Sequence, residues 1–369
     1  MKKKIIASVI SDIVTDQRVQ KECATFHKLG YDVLLLGRKS NHDFGLDTLP
    51  YKVFRFYDPF KRGAMMYALF NLQLFFYLLF KQTDILWAND LDTLLPNYLV
   101  AKLKRKVLVY DSHEYFLLTV SKKFSRKVFG IIERYIFPKL RNVITVNNSI
   151  KDVYEKKYAV PITVIRNVPL KATYILQINL PPEHSDKRIL LMQGIGLNEN
   201  RGAEEAVEMM QFLPENYVLY FIGRGTILHT LKRMVAERKL DKRIIFTGVL
   251  PYAEMMAYTR LAYLGLIFEK IDFNDEHMFS LPNKFFDYIK GGLPVLSSKA
   301  VEIKAIIDEY KIGTFIDDFE PRNMARKIIE VEQNEQTYLL WKQNLPKAAE
   351  ELNWENEEVK LIGFIKELG

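Results

Sequence analysis

The chain contains very little cysteine and no long apolar run. Its 369 residues include one cysteine, Cys23, which excludes an internal disulfide framework and favours a reducing compartment. The apolar run Ile5 to Ile10 follows three lysines, but it is too short for a signal peptide and acidic residues follow it, so we expect a first strand. The most apolar stretch, residues 64–80, is shorter than the about 20 residues of a membrane-spanning helix.

Several motifs of common enzyme classes are also missing. No Gly-x-Gly-x-x-Gly follows the first predicted strand, which argues against a dinucleotide dehydrogenase, and there is no phosphate-binding P-loop. The chain has no Gly-x-Ser-x-Gly nucleophile turn and no His-Glu-x-x-His zinc motif. It also has no nucleic-acid-binding motif and no regular interleaving of aromatic and basic residues, so a nucleic-acid partner is not predicted.

The charge is divided unevenly between the two halves of the chain. Residues 1–168 hold 28 Lys/Arg against 15 Asp/Glu, a balance of +13, and residues 169–369 hold 25 against 30, a balance of −5. The whole chain has a formal net charge of +8. The first half is therefore predicted to meet something anionic, and we favour an anionic membrane surface or lipid phosphate. A charge excess that serves solubility alone is the alternative.

The remaining composition and the pattern of apolar residues predict an α/β protein. A length of 369 residues predicts two domains, and 49% hydrophobic with 27% charged residues is typical of globular proteins. Short apolar runs alternate with helical patterns, which is typical of parallel sheets covered by helices on both faces. The predicted strands are 4–10, 32–37, 52–56, 84–88, 106–110, 143–147, 162–166, 188–193, 218–223, 243–247, 261–268, 293–297 and 312–316.

Two doubly wound domains are predicted from this series, 1–168 and 169–345, followed by a terminal helix within 346–369. The hinge is expected near Asn167-Val168-Pro169, because the following segment is irregular and contains proline. In doubly wound folds ligands bind at the carboxyl ends of the strands, so we expect a site in a cleft between the two domains.

A short helix in the second predicted domain carries polar residues suited to a nucleotide. Ser280 is a candidate N-cap, Pro282 suits the first turn, and a Gly-Gly pair ends the helix. Near its start, Lys284 and free backbone N–H groups would hold a phosphate. Asp287, one turn further on, could bind two neighbouring hydroxyls such as those of a ribose. A capped surface helix with a solvated Lys–Asp pair is the alternative.

Three places in the first predicted domain put polar residues after a strand. Asp12 follows the first strand, and Arg18 would then lie in the first turn of the next helix, beside free N–H groups that suit an anion. Asp90 shapes the next loop, and Asp92 is expected to cap a helix at 93–104; this Asp-x-Asp pair is a weak metal motif, and no metal is predicted. His113 leaves a buried strand and could hydrogen-bond a substrate hydroxyl. Ordinary capping and structural roles are the alternatives.

Glycine turns follow two strands of the second predicted domain. Gly194 and Gly196 precede Arg201 at the start of a helix, an arrangement suited to a diphosphate. Gly223-Arg224-Gly225 closes the next strand, and the loop 246–252 follows the one after it. Taken alone, these are also compatible with plain turns of a Rossmann-like domain.

Residues 280–295, S-L-P-N-K-F-F-D-Y-I-K-G-G-L-P-V, resemble the donor-binding motif of retaining glycosyltransferase family 4. The resemblance implies that Asp287 binds the ribose and that Lys284 supports the leaving diphosphate. It also implies donor contacts by Leu281 and Asn283. Most of the family has a first glutamate eight positions before the second, where this chain has Phe279.

Other segments resemble the same family. The segment at 11–19 is similar to one that faces the acceptor, and Y-D-S-H-E at 110–114 is similar to a segment whose histidine lies beside the donor sugar. Arg201-Gly202 matches the family's Lys/Arg-Gly, where the cation neutralises the diphosphate; the family's other frequent arginine corresponds to Ile195. The glycine turn at 223–225 and the loop 246–252 resemble the surroundings of the nucleotide and its base.

The resemblance implies a GT-B fold, with two Rossmann-like domains facing across a cleft and a C-terminal helix crossing back to the first domain. It implies a retaining, metal-independent hexosyltransferase without a cofactor. The implied partners are a nucleoside-diphosphate sugar, with UDP as the expected nucleotide, and a saccharide or lipid-linked acceptor in cell-surface polysaccharide biosynthesis. The assigned catalytic residues are His113, Arg201 and Lys284. The acceptor-binding residues are Asp12, Arg18, Asp90 and His113, and the donor-binding residues are Gly194, Gly196, Arg201, Gly223, Gly225, Leu281, Asn283, Lys284 and Asp287.

We expect a cytoplasmic protein, attached peripherally to the inner face of the cell membrane. The basic cluster 122–127 and the apolar segment 64–80 would make that attachment. A core helix is the favoured interpretation of 64–80, and a solvated helix face is the alternative for 122–127. Three alternative functions stay open: a sugar-nucleotide epimerase or hydrolase on the same fold, a non-catalytic nucleotide-sugar-binding partner, and a nucleic-acid-binding protein.

Overall fold

A computed structural model describes residues 2–39, 46–60, 63–120, 122–171, 176–194, 196–271 and 278–368. The chain divides into two compact units. The first unit comprises Met1–Asn167 together with Glu357–Gly369, and the second comprises Val168–Asn356. Each unit is built around one parallel sheet, and each is described by itself below.

The first unit contains a parallel sheet of seven strands among the described residues. In chain order the strands are β1 (Lys4–Ser8), β2 (Asp32–Arg38), β3 (Lys52–Phe56), β4 (Ile85–Asn89), β5 (Val107–Ser112), β6 (Asn142–Thr145) and β7 (Ile162–Val164). Their order across the sheet is β3-β2-β1-β4-β5-β6-β7. The helices between them are α1 (Gln17–Lys28), α2 (Ala64–Phe80), α3 (Leu91–Lys104), α4 (Phe116–Thr119), α5 (Lys123–Ile136) and α6 (Asn148–Tyr158), with 3₁₀ turns at Leu46–Thr48 and Phe137–Lys139.

The second unit contains a six-stranded parallel sheet among its described residues. The strands are β8 (Arg188–Gly194), β9 (Tyr217–Gly223), β10 (Ile244–Gly248), β11 (Leu264–Ile267), β12 (Val295–Ser297) and β13 (Gly313–Phe315), in the order β10-β9-β8-β11-β12-β13. The helices are α7 (Ala203–Met209), α8 (Leu228–Glu237), α9 (Tyr252–Leu261), α10 (Asn283–Lys290), α11 (Val301–Tyr310), α12 (Pro321–Gln333) and α13 (Glu335–Glu351), with a 3₁₀ turn at Pro182–His184.

Both sheets are buried on both faces, as the apolar runs predicted. Every residue of β4 and of β9 is buried, because helices cover the two faces of a parallel sheet. The strand order reverses between β1 and β4 in the first unit and between β8 and β11 in the second. Loops that leave the carboxyl ends of strands at such a reversal form the binding crevice of doubly wound folds. The predicted α/β class is therefore confirmed.

Helix α2 covers the apolar segment 64–80 in full. One stripe of it, Met66, Phe70, Leu74 and Leu78, is buried in the core of the first unit. The core-helix prediction is correct for this stripe, but other large apolar residues of the same helix are exposed: Met65, Leu72, Phe76 and Phe80. Within the part of the chain that the structure describes, no helix has the length and apolarity needed to cross a bilayer.

The C-terminal segment forms two helices, whereas the sequence predicted one terminal helix within 346–369. Helix α13 ends at Glu351, and α14 (Trp354–Glu367) follows after a short break. Residues from Glu357 onward group with the first unit. There Glu358 Oε1 accepts a 2.7 Å hydrogen bond from the Thr25 hydroxyl, and a Glu357 carboxylate oxygen accepts one of 3.0 Å from the Arg166 N–H.

Candidate functional site

The carboxyl end of β5 carries a buried ion pair. The Arg18 guanidinium donates to both carboxylate oxygens of Asp111, with Nε–Oδ2 and Nη2–Oδ1 distances of 2.9 and 2.8 Å. Its Nη1 donates to the Ile165 carbonyl at 2.8 Å, and its Nη2 lies 3.1 Å from the buried Glu22. Burial raises the pKa of Asp111, but Arg18 and His113 outweigh burial and hold that pKa well below its usual range.

This arrangement changes the role predicted for Arg18. The residue lies in the first turn of α1, as expected, but it is 1% exposed and all of its guanidinium nitrogens have partners within the unit. A buried bidentate pair of this kind cannot receive an acceptor without breaking. Arg18 is thus a positioning residue that fixes Asp111, and the sequence could not reveal a partner 93 residues away.

His113 lies between two carboxylates. Its Nε2 is 3.1 Å from Asp111 Oδ2, its Nδ1 is 3.3 Å from Asp90 Oδ2, and its backbone N–H donates to Asp90 Oδ1 at 2.9 Å. Burial lowers the pKa of His113, but Asp90 and then Asp111 outweigh burial and raise it to about 10. The ring is therefore an imidazolium at neutral pH, and it is not available as a proton acceptor.

Asp90 occupies a special backbone position. Its φ of 60° lies in the left-handed region, which is uncommon for a non-glycine residue and recurs at functional sites. The structure corrects the prediction that Asp92 caps the next helix, because α3 begins at Leu91 and Asp92 lies inside its first turn. Burial, followed by Asp90 and Glu114, raises the pKa of Asp92 well above its usual range.

Asp12 lies in the loop that follows β1. Its Oδ1 accepts a 3.1 Å hydrogen bond from the Val14 N–H, and its carbonyl accepts from the N–H of Thr15 and of Asp16 at 3.0 Å each. Asp16 caps α1 by accepting from the Val19 N–H. Of the four predicted acceptor residues, three therefore meet in one network, Arg18, Asp90 and His113, and Asp12 orders the neighbouring loop.

In the second unit, two glycine turns meet at the carboxyl ends of β8 and β9. A side chain on Gly223, whose φ is 132°, would place its Cβ 1.8 Å from the Gly194 carbonyl oxygen. A Cβ on Gly225 would lie 1.9 Å from the Leu197 carbonyl oxygen. Glycine is therefore required at both positions, and the Arg224 N–H donates to Gly194 O at 3.3 Å. The backbone after β9 therefore packs directly against the backbone after β8.

Two predicted cations converge on a carboxylate that the sequence did not reveal. Arg201 Nη1 lies 3.1 Å from Glu269 Oε1, and Lys284 Nζ lies 3.9 Å from the same oxygen. The Glu269 side chain is fully buried, whereas those of Arg201 and Lys284 are 25% and 12% exposed. A Cβ built on Gly196 lies 3.9 Å from the Arg201 guanidinium carbon, so the pair sits beside the glycine turn.

Glu269 lies in the loop just after the carboxyl end of β11. This is the place in the sheet where the strand order reverses, between β8 and β11. Only this topological position could have pointed to it, because no motif surrounds it in the sequence. Burial lowers the pKa of Lys284, Glu269 raises it in part, and Arg201 lowers it further. Two cations around one carboxylate leave a net positive charge, which suits a diphosphate.

Helix α10 carries the remaining predicted donor residues. It begins at Asn283 with Pro282 at the N-cap and no side-chain cap, so the prediction that Ser280 caps it is corrected. Pro282 itself supplies the first carbonyl, which accepts from the Phe285 N–H at 2.9 Å. Asn283 is exposed, and Leu281, just before the helix, is half-buried. Both flank Lys284 at the helix start, where backbone N–H groups face outward.

Asp287 has a partner from the loop that was predicted to pack against the base. The Tyr252 hydroxyl donates to Asp287 Oδ1 at 2.8 Å, and burial followed by Asp287 raises the pKa of Tyr252 well above its usual range. At the start of the same segment, in β10, Phe246 stacks on Phe221 with a centroid distance of 5.2 Å. The structure thus brings Asp287 and Tyr252 of the 246–252 segment together, and their roles toward the nucleotide stay predictions.

At two positions named above, 195 and 279, this chain lacks the residue that is frequent in the family. Ile195 lies outside the described residues, and Phe279 is half-buried before α10. Among the described His, Cys, Asp and Glu residues, no group of three is arranged to hold a metal ion.

The two halves of the chain match two glycosyltransferase families. Residues 17–168 match Glycosyltransferase Family 4, and residues 181–348 match Glycosyl transferases group 1. The chain belongs to the GT-B glycosyltransferases of the family 4 type, which confirms the resemblance. No curated protein sequence matches the chain.

Solved structures support the same fold at low sequence identity. Sucrose-phosphate synthase from Thermosynechococcus elongatus is similar with a TM-score of 0.77 and 15% identity, over 100% of this chain and 99% of that one. Anabaena Alr3699/HepE in complex with UDP has a TM-score of 0.73 and 14% identity over 100% of both chains. The lipopolysaccharide outer core galactosyltransferase WaaB has a TM-score of 0.68 and 14% identity, over 100% and 99%.

Proposed function

We propose that this chain is a retaining glycosyltransferase that moves a sugar from a UDP-sugar to a saccharide or lipid-linked acceptor in cell-surface polysaccharide assembly. The observation that carries the proposal is the pair of cations, Arg201 and Lys284, held by Glu269 beside the Gly194–Gly196 turn and at the start of α10. Complexes of the similar Alr3699/HepE with UDP and with UDP-glucose support a UDP-linked donor.

In the proposed reaction, the bond between the anomeric carbon and the diphosphate oxygen breaks and the acceptor oxygen forms a new bond to that carbon. Negative charge builds up on the departing diphosphate, where Arg201, Lys284 and the N–H groups of α10 stabilise it. The proton of the acceptor hydroxyl passes to the departing diphosphate. His113 does not take that proton, because its pKa of about 10 keeps it charged at neutral pH.

His113 and its carboxylates instead define the shape and charge of the acceptor side. The imidazolium is held on both ring nitrogens, and the Asp90 carboxylate beside it can accept from a sugar hydroxyl, whereas Asp111 is fully buried and bonded to Arg18 and His113. The Asp90 and His113 side chains are 19% and 16% exposed, so both can reach a ligand. Neither a metal nor a cofactor is part of the proposal.

The test is a thermal-shift panel of nucleotide sugars followed by turnover assays. A donor present at 100 times its Kd adds about 2.7 kcal/mol of stability, so UDP-sugars should raise the melting temperature when ADP- and GDP-sugars do not. The preferred donor should release UDP only when a hydroxyl acceptor is added. Rapid release without acceptor would support a hydrolase or epimerase, and stabilisation without any turnover would support a non-catalytic binding partner.

Replacing Asp287 by asparagine should weaken UDP binding by about 1–3 kcal/mol, the cost of losing a charged hydrogen bond. The carboxylate lies one turn into α10, where its two oxygens can accept hydrogen bonds from both hydroxyls of a ribose. The asparagine amide has one accepting oxygen, and its NH₂ group can only donate. Isothermal titration with UDP measures the change.

Tyr252→Phe is the matched control for this prediction. It removes the 2.8 Å hydrogen bond to Asp287 Oδ1 but leaves the carboxylate charged. UDP affinity should therefore fall less in Tyr252→Phe than in Asp287→Asn. Unchanged UDP affinity in Asp287→Asn would contradict the ribose role.

We also propose that the first unit attaches to an anionic membrane surface. Helix α5 exposes an apolar stripe at i, i+4, i+7 and i+11, formed by Phe124, Val128, Ile131 and Tyr135. Basic residues flank this stripe, and Lys123, Arg126, Lys127 and Arg134 line a pocket of about 420 Å³. Within the described ranges, no carboxylate forms a salt bridge with these four cations. Apolar burial and anionic lipid would both favour such a helix at a bilayer surface.

The protein should sediment with anionic liposomes at low salt, leave them at high salt and not bind neutral liposomes, because each cation near the surface contributes about 1 kcal/mol that salt screens. Reversing Lys122, Lys123, Arg126 and Lys127 to glutamate should abolish sedimentation. UDP-induced thermal stabilisation of the second unit should remain, and the circular dichroism spectrum should match that of the wild type, which shows that the variant is folded. If the wild-type chain does not associate with anionic liposomes, the membrane proposal is wrong. The positive charge of the first unit would then serve solubility or the binding of a soluble acidic acceptor.

A further inference from the structure

An apolar pocket of about 280 Å³ opens on the first unit between three helices. Its walls come from Tyr67 and Ala68 of α2, Leu91 and Leu95 of α3, and Phe124 and Phe129 of α5. An apolar cavity of about 150 Å³ accommodates benzene, so this pocket admits a chain segment of roughly ten carbon atoms.

One wall of the pocket adjoins the acceptor network. Leu91 and Asp92, which line the pocket, directly follow Asp90, which holds His113. The Asp92 side chain is 4% exposed, and its Oδ1 has no hydrogen-bond partner among the described residues. Burial, followed by the charges of Asp90 and Glu114, raises the pKa of Asp92 well above its usual range, which favours the neutral acid. A neutral acid is compatible with an apolar occupant and can donate to an ether or ester oxygen.

Two cations lie next to residues that line the exposed side of the pocket. Phe124 lines the pocket and is 71% exposed, and it follows Lys122 and Lys123 in the chain. The ammonium of Lys122 lies 3.9 Å from a Cβ built on Gly63, the residue before the start of α2. The pocket therefore combines a dry interior with cations at its mouth, a combination complementary to an amphiphile with an anionic head.

We propose that this pocket binds the first apolar segment of a lipid-phosphate acceptor, with the phosphate at the basic mouth. The proposal rests on the proposed function and specifies its acceptor: the lipid chain enters between α2, α3 and α5. The sugar end of the same molecule then lies on the side of the pocket where Asp90 and His113 stand. The pocket thus selects acceptors that carry an aliphatic or prenyl chain joined directly to phosphate.

The test uses dodecyl phosphate, kept below its micelle concentration, as the probe. The full chain should bind it saturably in isothermal titration, and should bind inorganic phosphate and dodecyl maltoside at least about tenfold more weakly, because each lacks the chain or the charge. Ala68→Trp should weaken dodecyl phosphate binding about tenfold or more by filling the pocket from the exposed side of α2. Met65→Trp is the matched control, because Met65 is 61% exposed on the same helix and does not line the pocket.

UDP thermal shifts, measured on the same proteins, separate this proposal from the proposed function. Normal UDP stabilisation with no saturable dodecyl phosphate binding would overturn the pocket proposal alone. Equal affinity of Ala68→Trp and wild type for dodecyl phosphate would overturn it as well. A wild-type dimer that Ala68→Trp dissociates would show that a second copy of the chain covers the pocket, which also overturns the proposal.

Discussion

Replacing Arg201 by alanine, or Lys284 by alanine, should each lower kcat about 100-fold or more, the usual effect of losing one preorganised group at a developing charge. Both cations lie within 4 Å of Glu269 Oε1, at 3.1 and 3.9 Å, beside the glycine turn that would receive the diphosphate. The loss should fall on kcat more than on KM, because negative charge on the diphosphate increases as the sugar departs. Steady-state rates with the preferred donor give the comparison.

Each single variant should still fold. Glu269 is fully buried, and in either variant it keeps the other cation as a partner. Removing both cations together would leave a buried carboxylate uncompensated, at a cost of about 3–5 kcal/mol, so the double variant is not a clean test. Lys304→Ala is the control, because it removes an exposed cation of the same unit from an i,i+4 pair on α11. A wild-type kcat in both Arg201→Ala and Lys284→Ala would contradict the prediction and show that the diphosphate binds elsewhere.

The fold could be predicted because parallel strands buried on both faces leave a strong pattern. A run such as Ile85–Asn89, in which every residue is buried, must be apolar over its length, and helical patterns separate such runs. All thirteen predicted strands are present, with ends that shift by up to three residues. Helix ends were less certain: Ser280 and Asp92 have capping chemistry, but Pro282 and Asp90 occupy the N-cap positions.

Parts of the site that depend on long-range pairing were beyond the sequence. Lys284 and Asp287 could be predicted because they lie within one short helix, where their relative positions follow from their spacing in the sequence. The contact of Arg18 with Asp111 joins positions 93 residues apart, and Glu269 meets Arg201 across 68 residues. Such contacts follow from strand order in the sheet, which a single sequence does not specify.

Replacing Asp111 by asparagine should destabilise the first unit by about 3–5 kcal/mol, because it leaves a buried guanidinium and an imidazolium without their shared counter-charge. Asparagine keeps the shape of the side chain, but its NH₂ group would face donors of Arg18 or His113. Hydrogen exchange of residues 107–112, followed by mass spectrometry, should show the loss of protection. Asp152→Asn makes the same chemical change on the exposed face of α6 and should leave that protection unchanged.

The same variant should change the pH dependence of stability. In the folded wild type the pKa of His113 is about 10, above the ordinary value of about 6.5 that applies in the unfolded chain. The stabilisation from its charged form is therefore complete below about pH 6.5 and is lost as the pH rises through about 10. Without the Asp111 charge the folded pKa of His113 falls, so this loss should begin at lower pH. An NMR titration of the His113 ring gives the value directly, and a midpoint still near 10 in Asp111→Asn would show that Asp90 alone sets the charge of the imidazole.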